Sequence, residues 1–363
     1  MISFFIVASL IMLLMHIVIG GWFFFLFPGL GWKMPVVLLP LLLTVFTAWT
    51  LSYTRTHYGT LDSILYYVSY TWLGLIFIFF SLVIIFTLLL FILNICHVSH
   101  VRAVLGPISL LVMFAAAILA VWGGFAEPKI KHIYITIPGA PKMTAAVISD
   151  SHLGIGVSRA RWQKALARLQ AEQPDAVFVL GDVFEYGRNR EQYARALADV
   201  KTPLGTYGVL GNHEYYVGLE NSVDFYKQAG IELLQNQTAV LPNGMQVIGV
   251  KDIRTAHVSA QRLDQLLTHT NPNAPRILLS HQPLLTGSAA AHNIPLMLSG
   301  HTHAGQIWPF NYLVKLHYPY VYGLYSIGPK SKLYVTSGMF YWGMPLRLFA
   351  PAEIPIVHIQ GND

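Results

Sequence analysis

The sequence predicts an α/β domain preceded by an all-α membrane region of four helices, and three observations lead there. Charge is unevenly placed: of 40 Asp, Glu, Lys and Arg residues only Lys33, Arg55, Asp62 and Arg102 lie before Glu127. With 54% hydrophobic and 11% charged residues, the chain is too apolar for an ordinary soluble protein of its length. From Glu127 onward, short apolar runs of strand type alternate with amphipathic helical ones. Five of those apolar runs stop at an oxygen or nitrogen donor side chain. The expected division is a transmembrane region over 1–126 and a globular domain over 127–363.

Residues Ile2 to Phe27 carry no formal charge, enough for a helix across about 30 Å of hydrocarbon. A cleaved signal peptide would have a basic leading stretch and a shorter apolar core, and would not be followed by further apolar runs. Uncharged runs recur between Lys33 and Arg55, between Asp62 and Arg102, and between Arg102 and Glu127, which gives four spans. Pro28, Gly29, Gly31 and Pro35 mark the first turn. The third run exceeds one crossing, so Tyr66 to Trp72 is expected as an aromatic belt and Leu73 to Ile95 as the span proper. An even number of spans returns both ends to one side. That side holds Arg55, Lys129, Lys131 and Lys142 against Lys33 and Arg102 on the other, which places it in the cytoplasm. His16, His57, His97 and His100 are single or loop-borne and are given no functional role.

The net charge of +6 comes from basic and acidic residues interspersed without a block. A polynucleotide partner requires a clustered basic stripe, so the composition argues against nucleic acid, whereas nearness to anionic lipid accounts for the basic balance. The single cysteine, Cys96, excludes an intrachain disulfide or a cysteine metal site and leaves the compartment open.

In the globular part, Ile130 to Ile137 alternates as a strand. Arg159 to Gln173 reads as an amphipathic helix, with Ser158 as its cap, Trp162, Leu166 and Leu169 on one face and Pro174 as its stop. Further helices are expected over Arg190 to Val200 and Leu219 to Ala229, the latter closed by Gly230. Asn243-Gly244 marks a hairpin turn. Helix and strand alternate up to about residue 230, and hairpins are expected to dominate after it.

The donor series gives the chain its chemistry. The run from Ala145 ends at Asp150, with His152 two residues on. Val177 to Leu180 runs into Gly181-Asp182, and Tyr207 to Leu210 into Gly211-Asn212-His213-Glu214. Ile277 to Ser280 runs into His281, and Leu296 to Ser299 into Gly300-His301-Thr302-His303. Three of these donors directly follow a glycine, where the backbone can turn sharply and approach closely. One Asp-x-His is weak; five strand ends in series point to a metal site.

In order and approximate spacing, Asp150-x-His152, Gly181-Asp182, Gly211-Asn212-His213-Glu214, His281 and Gly300-His301-x-His303 resemble the motifs of the calcineurin-like metallophosphoesterases. The resemblance covers about residues 144 to 360, and the run Pro345 to Ile354 resembles the tail of the membrane-anchored bacterial branch, which implies the inner membrane. It implies a four-layer α/β/β/α sandwich; alternation alone would also allow a doubly wound sheet. It further implies two divalent ions, with Asp182 bridging, Asp150, His152 and His303 on one, and Asn212, His281 and His301 on the other. Mixed imidazole and carboxylate donors suit Mn, Fe or Zn better than Mg or Ca. His213 is implied to face the phosphate, stabilising charge or protonating the leaving oxygen. Glu185 and Glu214 either orient a donor from behind or are solvated. His257, His269, His292, His317 and His358 fit no motif position. At Ala304 the membrane-anchored branch tends to have glycine, which bears on the turn and not on the donors.

Water attacks a phosphodiester slowly because it is a weak nucleophile and charge builds on an anionic group; two divalent ions about 4 Å apart address both. The expected function is therefore a membrane-bound metal-dependent phosphoesterase, hydrolysing a phosphodiester or pyrophosphate of a lipid or lipid-linked nucleotide. The resemblance extends to enzymes cleaving UDP-2,3-diacylglucosamine, while soluble relatives act on nucleotides, nucleic acids or phosphoproteins. The alternatives are a phosphoesterase of water-soluble nucleotides, and a non-catalytic membrane sensor that binds metal and phosphate. A transporter with an accessory domain is opposed by the short loops and the lack of intramembrane charge. The aromatic-rich stretch from Ile307 to Phe349 either faces lipid or packs, with Leu333 to Thr336 as a core strand.

Overall fold

The computed structural model describes residues 2–29 and 33–361, excluding the side chains of 2–5 and 33–37. The chain forms two compact units. One takes in Met1–Phe125, Ile307–Pro309 and Gly343–Leu348; the other takes in Ala126–Gln306, Phe310–Trp342 and Phe349–Asp363.

The first unit contains α1 (Ile2–Leu26), α2 (Lys33–Tyr53), α3 (Thr60–Ile95) and α4 (Val101–Phe125). Among the described residues Ile6–Leu26, Thr60–Ile95 and Val101–Phe125 are long and apolar enough to cross a membrane, while the apolar stretch of α2, Leu38–Tyr53, is shorter. The expected four spans thus become three of full length and one short apolar helix. Leu30, Gly31 and Trp32, in the expected first turn, lie outside the described residues. The 36 residues of α3 form one unbroken helix, about 54 Å long at 1.5 Å per residue, so Tyr66 to Trp72 continues into the apolar segment without a break.

Few polar groups hold these helices. The Trp22 indole N–H donates to Ser109 Oγ at 3.1 Å. Trp72 Nε1–H donates to His16 Nε2 at 3.0 Å, and His16 Nδ1 donates to the Met12 carbonyl at 2.8 Å, so both ring nitrogens are partnered. Ile307, Leu346 and Leu348 are buried in one cluster with Trp22, Leu82 and Phe86. The Tyr66 hydroxyl donates to the Gly343 carbonyl at 2.6 Å and the Arg347 amide to the Ala120 carbonyl at 2.9 Å. Part of the aromatic stretch therefore belongs with the helices.

The second unit runs β1 (Lys129–Thr136), β2 (Met143–Ile148), α5 (Arg159–Ala171), β3 (Ala176–Val179), α6 (Arg190–Ala198), β4 (Thr206–Gly208), α7 (Asn212–Val217), α8 (Leu219–Gln228) and β5 (Glu232–Leu233). It continues with β6 (Gln237–Val240), β7 (Gln246–Gly249), α9 (Ala260–Thr268), β8 (Arg276–Leu279), α10 (Thr286–Ala291), β9 (Leu296–Ser299), α11 (Phe310–His317), β10 (Gly323–Gly328), β11 (Ser331–Val335) and β12 (Glu353–Gln360). The Ser158 hydroxyl accepts the Arg161 amide at the start of α5, as expected of a cap.

The strands form two sheets of six, in the orders β1-β12-β2-β3-β4-β5 and β10-β11-β9-β8-β7-β6. Alternate side chains separate the layers. Ala145 and Val147 of β2 face the layer between the sheets, with Phe178, Val247, Ile277 and Leu298. Ala146 and Ile148 face outward onto Trp162 and Leu166 of α5. On the outer face of the second sheet, Ile248, Leu278 and Met297 meet Leu263 and Leu267 of α9. This is a four-layer α/β/β/α arrangement, and a single doubly wound sheet is excluded.

The expectation that hairpins dominate after residue 230 is corrected. In the second sheet β7, β8, β9 and β11 run parallel and antiparallel pairing is confined to β6/β7 and β10/β11 at its edges, while in the first sheet β12 returns antiparallel to β2. The connecting helices α9 and α10, of nine and six residues, were not expected from the sequence, and without them the strands read as hairpins.

Glu353, almost fully buried on β12, links the sheets. Its Oε1 accepts the hydroxyls of Tyr334 at 2.6 Å and Thr336 at 2.9 Å; its Oε2 accepts Tyr322 at 2.8 Å and lies 3.8 Å from Lys131 Nζ. Glu353→Ala would strand the buried Tyr334 and Thr336 hydroxyls and is expected to lower unfolding free energy by about 2–4 kcal/mol, with Glu353→Gln losing less. Denaturant unfolding measures this, and an unmoved midpoint for Glu353→Ala contradicts the linking role.

Candidate metal centre

The donors predicted from the sequence follow the ends of β2, β3, β4, β8 and β9, so both sheets contribute. The first brings Asp150, His152, Asp182 and Asn212; the second brings His281, His301 and His303. Asp150, His152 and His303 converge with donor atoms within 4.8 Å of one another, and so do Asp182, His281 and His301. His152 Nε2 lies 3.0 Å from His303 Nε2, and Asp150 Oδ1 lies 3.5 Å from that same His303 nitrogen. On the other side His281 Nε2 lies 3.1 Å from His301 Nδ1, 3.1 Å from Asn212 Oδ1 and 3.2 Å from Asp182 Oδ2. Asp182 Oδ2 is also 3.9 Å from His152 Nε2, which puts this carboxylate between the two groups.

These distances fit resident cations. Donors about 2.0–2.2 Å from one ion lie about 3–3.5 Å from each other, as the facing ring nitrogens do. The opposite nitrogens fit as well, since a ligating imidazole needs a partner behind it to fix tautomer and plane. His152 Nδ1 meets Glu185 Oε1 at 2.7 Å, His281 Nδ1 donates to the Leu180 carbonyl at 2.7 Å, and His301 Nε2 meets the Tyr318 hydroxyl at 2.8 Å. Asp150 and Asp182 are nearly inaccessible to solvent, an expensive place for two carboxylates without compensating positive charge.

The backbone is bent to present these groups. Asp150, His152, Asp182, His301 and His303 have φ of 51°, 40°, 53°, 70° and 50°, the left-handed region that non-glycine residues enter at a cost of about 1–2 kcal/mol each. Ala304, where glycine was the expectation, has φ 54° and takes the same strain. Glu214 secures the bends. It is buried, and its carboxylate accepts the amides of Gly211 at 2.7 Å, Asp182 at 2.9 Å and Val183 at 2.7 Å. Gly211 is required for contact, since a Cβ there would fall on Asp182 Oδ1. Gly300 is likewise packed against Ser149 Oγ and Asp150 Oδ2.

His213 opens the second residue of α7. Its Nδ1 lies 2.6 Å from Glu185 Oε1, and its amide donates to Asp182 Oδ1 at 2.9 Å. Its ring meets Tyr216 and Trp342 edge to face, at 5.4 and 5.6 Å. Of the two acids left open by the sequence, Glu185 is tied to both His152 and His213, and Glu214 to three backbone amides; neither is merely solvated. Tyr318 was missed as a functional residue. Nothing around it sets it apart from the other aromatics between Ile307 and Phe349, and only folding brings its hydroxyl to His301.

The protons are distributed by this packing. Burial opposes charge on Asp182, but the imidazoles of His281, His213 and His152 outweigh it and hold the carboxyl well below the usual range. Burial also opposes charge on His281, yet Asp182 and Asp150 bring it up to about 10. His301, buried and beside the His281 cation, is pushed down to about 3. His213, against its burial, is raised to about 9 by Asp182 and Glu185.

A cation must displace the His281 proton at any pH below about 10, because only neutral imidazole ligates. Mn or Zn binding is therefore expected to release protons at pH 7 and to tighten as pH rises from 6 to 9. Calorimetry in buffers of different ionisation enthalpy reads the release, and pH-independent affinity contradicts it. Glu185→Ala, removing the group behind His152, is expected to weaken metal affinity about 10- to 100-fold; an unchanged affinity by dye competition contradicts that.

The family model for calcineurin-like phosphoesterases matches residues 143–305. A metallophosphoesterase of Campylobacter jejuni is 35% identical over 240 residues, covering 65% of this chain and 64% of the relative. One from Aquifex aeolicus is 31% identical over 231 residues, covering 62% and 88%. The UDP-2,3-diacylglucosamine pyrophosphatase LpxG of Chlamydia trachomatis is 25% identical over 315 residues, covering 68% and 94%. The chain spans 64% of the length of the Campylobacter relative. The order of the motifs, the convergence of their side chains and these matches together establish that the chain belongs to the calcineurin-like phosphoesterase family.

Proposed function

We propose that the protein is a membrane-bound hydrolase of phosphodiester or pyrophosphate bonds, using two divalent ions and acting on a lipid or lipid-linked nucleotide. The observation that carries the chemistry is the position of Asp182 Oδ2, 3.2 Å from His281 and 3.9 Å from His152, a single carboxylate shared by two donor groups. Asp150, His152 and His303 would hold one ion and Asn212, His281 and His301 the other. When bound, such a pair activates a water and neutralises phosphoryl oxygens.

The chain's own groups supply the rest. Asp182 Oδ1 accepts the His213 amide, so the carboxylate also fixes the first turn of α7. Glu185 takes His213 Nδ1, which leaves Nε2 as the nitrogen that delivers a proton to a leaving oxygen. Trp342 and Tyr216 fix the plane of that ring.

Three features support a lipid substrate over a water-soluble one. Among the described residues three helices are long and apolar enough to cross a membrane. α11 leaves Phe310, Tyr312, Leu313 and Leu316 exposed, and Tyr318, one residue past its end, is the partner of His301. The Chlamydia relative is a pyrophosphatase of UDP-2,3-diacylglucosamine, a lipid-linked nucleotide. With α2 counted as a crossing, Arg55, Lys129, Lys131 and Lys142 against Lys33 and Arg102 support a cytoplasmic site on a bacterial inner membrane.

Detergent-purified protein loaded with Mn is expected to turn over diacylated nucleotide pyrophosphates in preference to water-soluble phosphodiesters, with Asp182→Ala as the inactive control. Turnover confined to soluble esters overturns the lipid assignment and keeps the chemistry. His213→Ala is expected to lower kcat about 10²- to 10⁴-fold at unchanged metal content. Parental activity in that variant removes His213 from the reaction and favours a site that binds without turnover.

A further inference from the structure

We propose that Arg254 forms an anion subsite beside the metal centre and receives the phosphate that is not attacked, so that the enzyme selects pyrophosphate diesters over single-phosphate diesters. The inference rests on the hydrolase reading and narrows its substrate class.

Arg254 lies on the loop that leaves β7, and that loop is fastened to the centre. Asp252, fully buried, accepts the Thr255 amide at 2.8 Å and the Gln282 side-chain N–H at 3.3 Å through Oδ1. Gln282 follows the donor His281, and its Oε1 accepts the Tyr318 hydroxyl at 3.4 Å. The Arg254 guanidinium sits 4.8 Å from the centre of the Tyr318 ring, while the hydroxyl of that ring lies 2.8 Å from His301 Nε2. One aromatic side chain thus separates the guanidinium from a metal donor.

Two physical points give this arrangement a use. Arg254 is exposed, and among the described residues it has no carboxylate within 4.0 Å, so its donors remain available to an incoming anion. A guanidinium and a pair of divalent ions repel one another. An anion reaching both past the edge of the Tyr318 ring would offset that repulsion, and phosphate matches the planar donor fork. Stacking on Tyr318 restricts the guanidinium before substrate arrives. A phosphodiester with one phosphate has no second anionic group to place there; a pyrophosphate diester has.

The test compares kcat/KM for UDP-glucose with that for the 4-nitrophenyl ester of thymidine monophosphate, using full-length Mn-loaded enzyme. The parent is expected to favour the pyrophosphate. Arg254→Ala is expected to reduce the ratio about 10- to 100-fold, mainly through KM. Arg254→Lys, which keeps the charge and loses the fork, is expected to recover part of it. Arg262→Ala, an exposed arginine on α9, is the control expected to leave the ratio in place. Equal effects of Arg254→Ala on both esters, or a parent without preference, overturn the subsite and leave the hydrolase reading standing. A parent inactive on both esters and on diacylated nucleotide pyrophosphates removes the hydrolase reading, and the subsite with it.

Discussion

The structure depends on compensating buried negative charge. Asp150 and Asp182 are placed where water hardly reaches, and isolated carboxylates there would be neutralised by protonation. Five imidazoles surround them, those of His152, His213, His281, His301 and His303, and the result differs between the two acids. His281, His213 and His152 keep Asp182 ionised against its burial, whereas burial pushes Asp150 above the ordinary carboxylate value. The proton that His281 holds is a placeholder for a cation, since the same lone pair serves either. A divalent ion held by each donor group would satisfy both carboxylates at once, which a set of protons does only in part.

That electrostatic arrangement requires a rigid frame, because a shift of about 1 Å separates donors that must share an ion. The two sheets deliver different donors, so their mutual position sets the geometry. The apolar layer between them and the Glu353 cluster hold that position. Glu214 fixes the local turns on the first sheet by accepting three amides where the strands end. On the second sheet the His301 amide donates to both oxygens of Asp150 at 3.0 Å, so one sheet's donor directly orients the other's. Five strained residues at these turns are tolerable because so many bonds converge on them.

Most of this was legible in the sequence where the signal is local. A strand that runs apolar and stops at glycine plus a donor can be read residue by residue, and each such donor is found at the centre. Glu185 and Glu214 were visible as acids near the motifs, but their roles depend on what they face. Tyr318 and Arg254 were invisible as site residues, because no sequence spacing relates either to His301; the loop after β7 and the end of α11 meet only in the folded second unit. The parallel pairing of β7, β8 and β9 was also hidden, as the connecting helices α9 and α10 were not read from the sequence. The four-layer arrangement needed the family resemblance, since alternation of strand and helix fits one sheet as well as two.

The helical unit is not a simple leading segment of the chain, because it takes in Ile307–Pro309 and Gly343–Leu348 as well as Met1–Phe125. The chain leaves the second unit at Gln306 and at Trp342, and these residues are bound to each other twice: Gln306 Nε2 donates to the Trp342 carbonyl at 3.1 Å, and the Trp342 amide donates to Gln306 Oε1 at 2.8 Å. Gln306 follows His303 by three residues, and Trp342 packs on His213. The segments that continue from them, Ile307–Pro309 and Gly343–Leu348, belong to the helical unit, where Ile307, Leu346 and Leu348 are buried. Cutting the chain at Ala126 would therefore expose these apolar side chains, at about 25 cal/mol for each Å² uncovered, in the very segments joined to the Gln306–Trp342 clasp. A fragment without the helices would keep every donor and lose the apolar partners of those two segments.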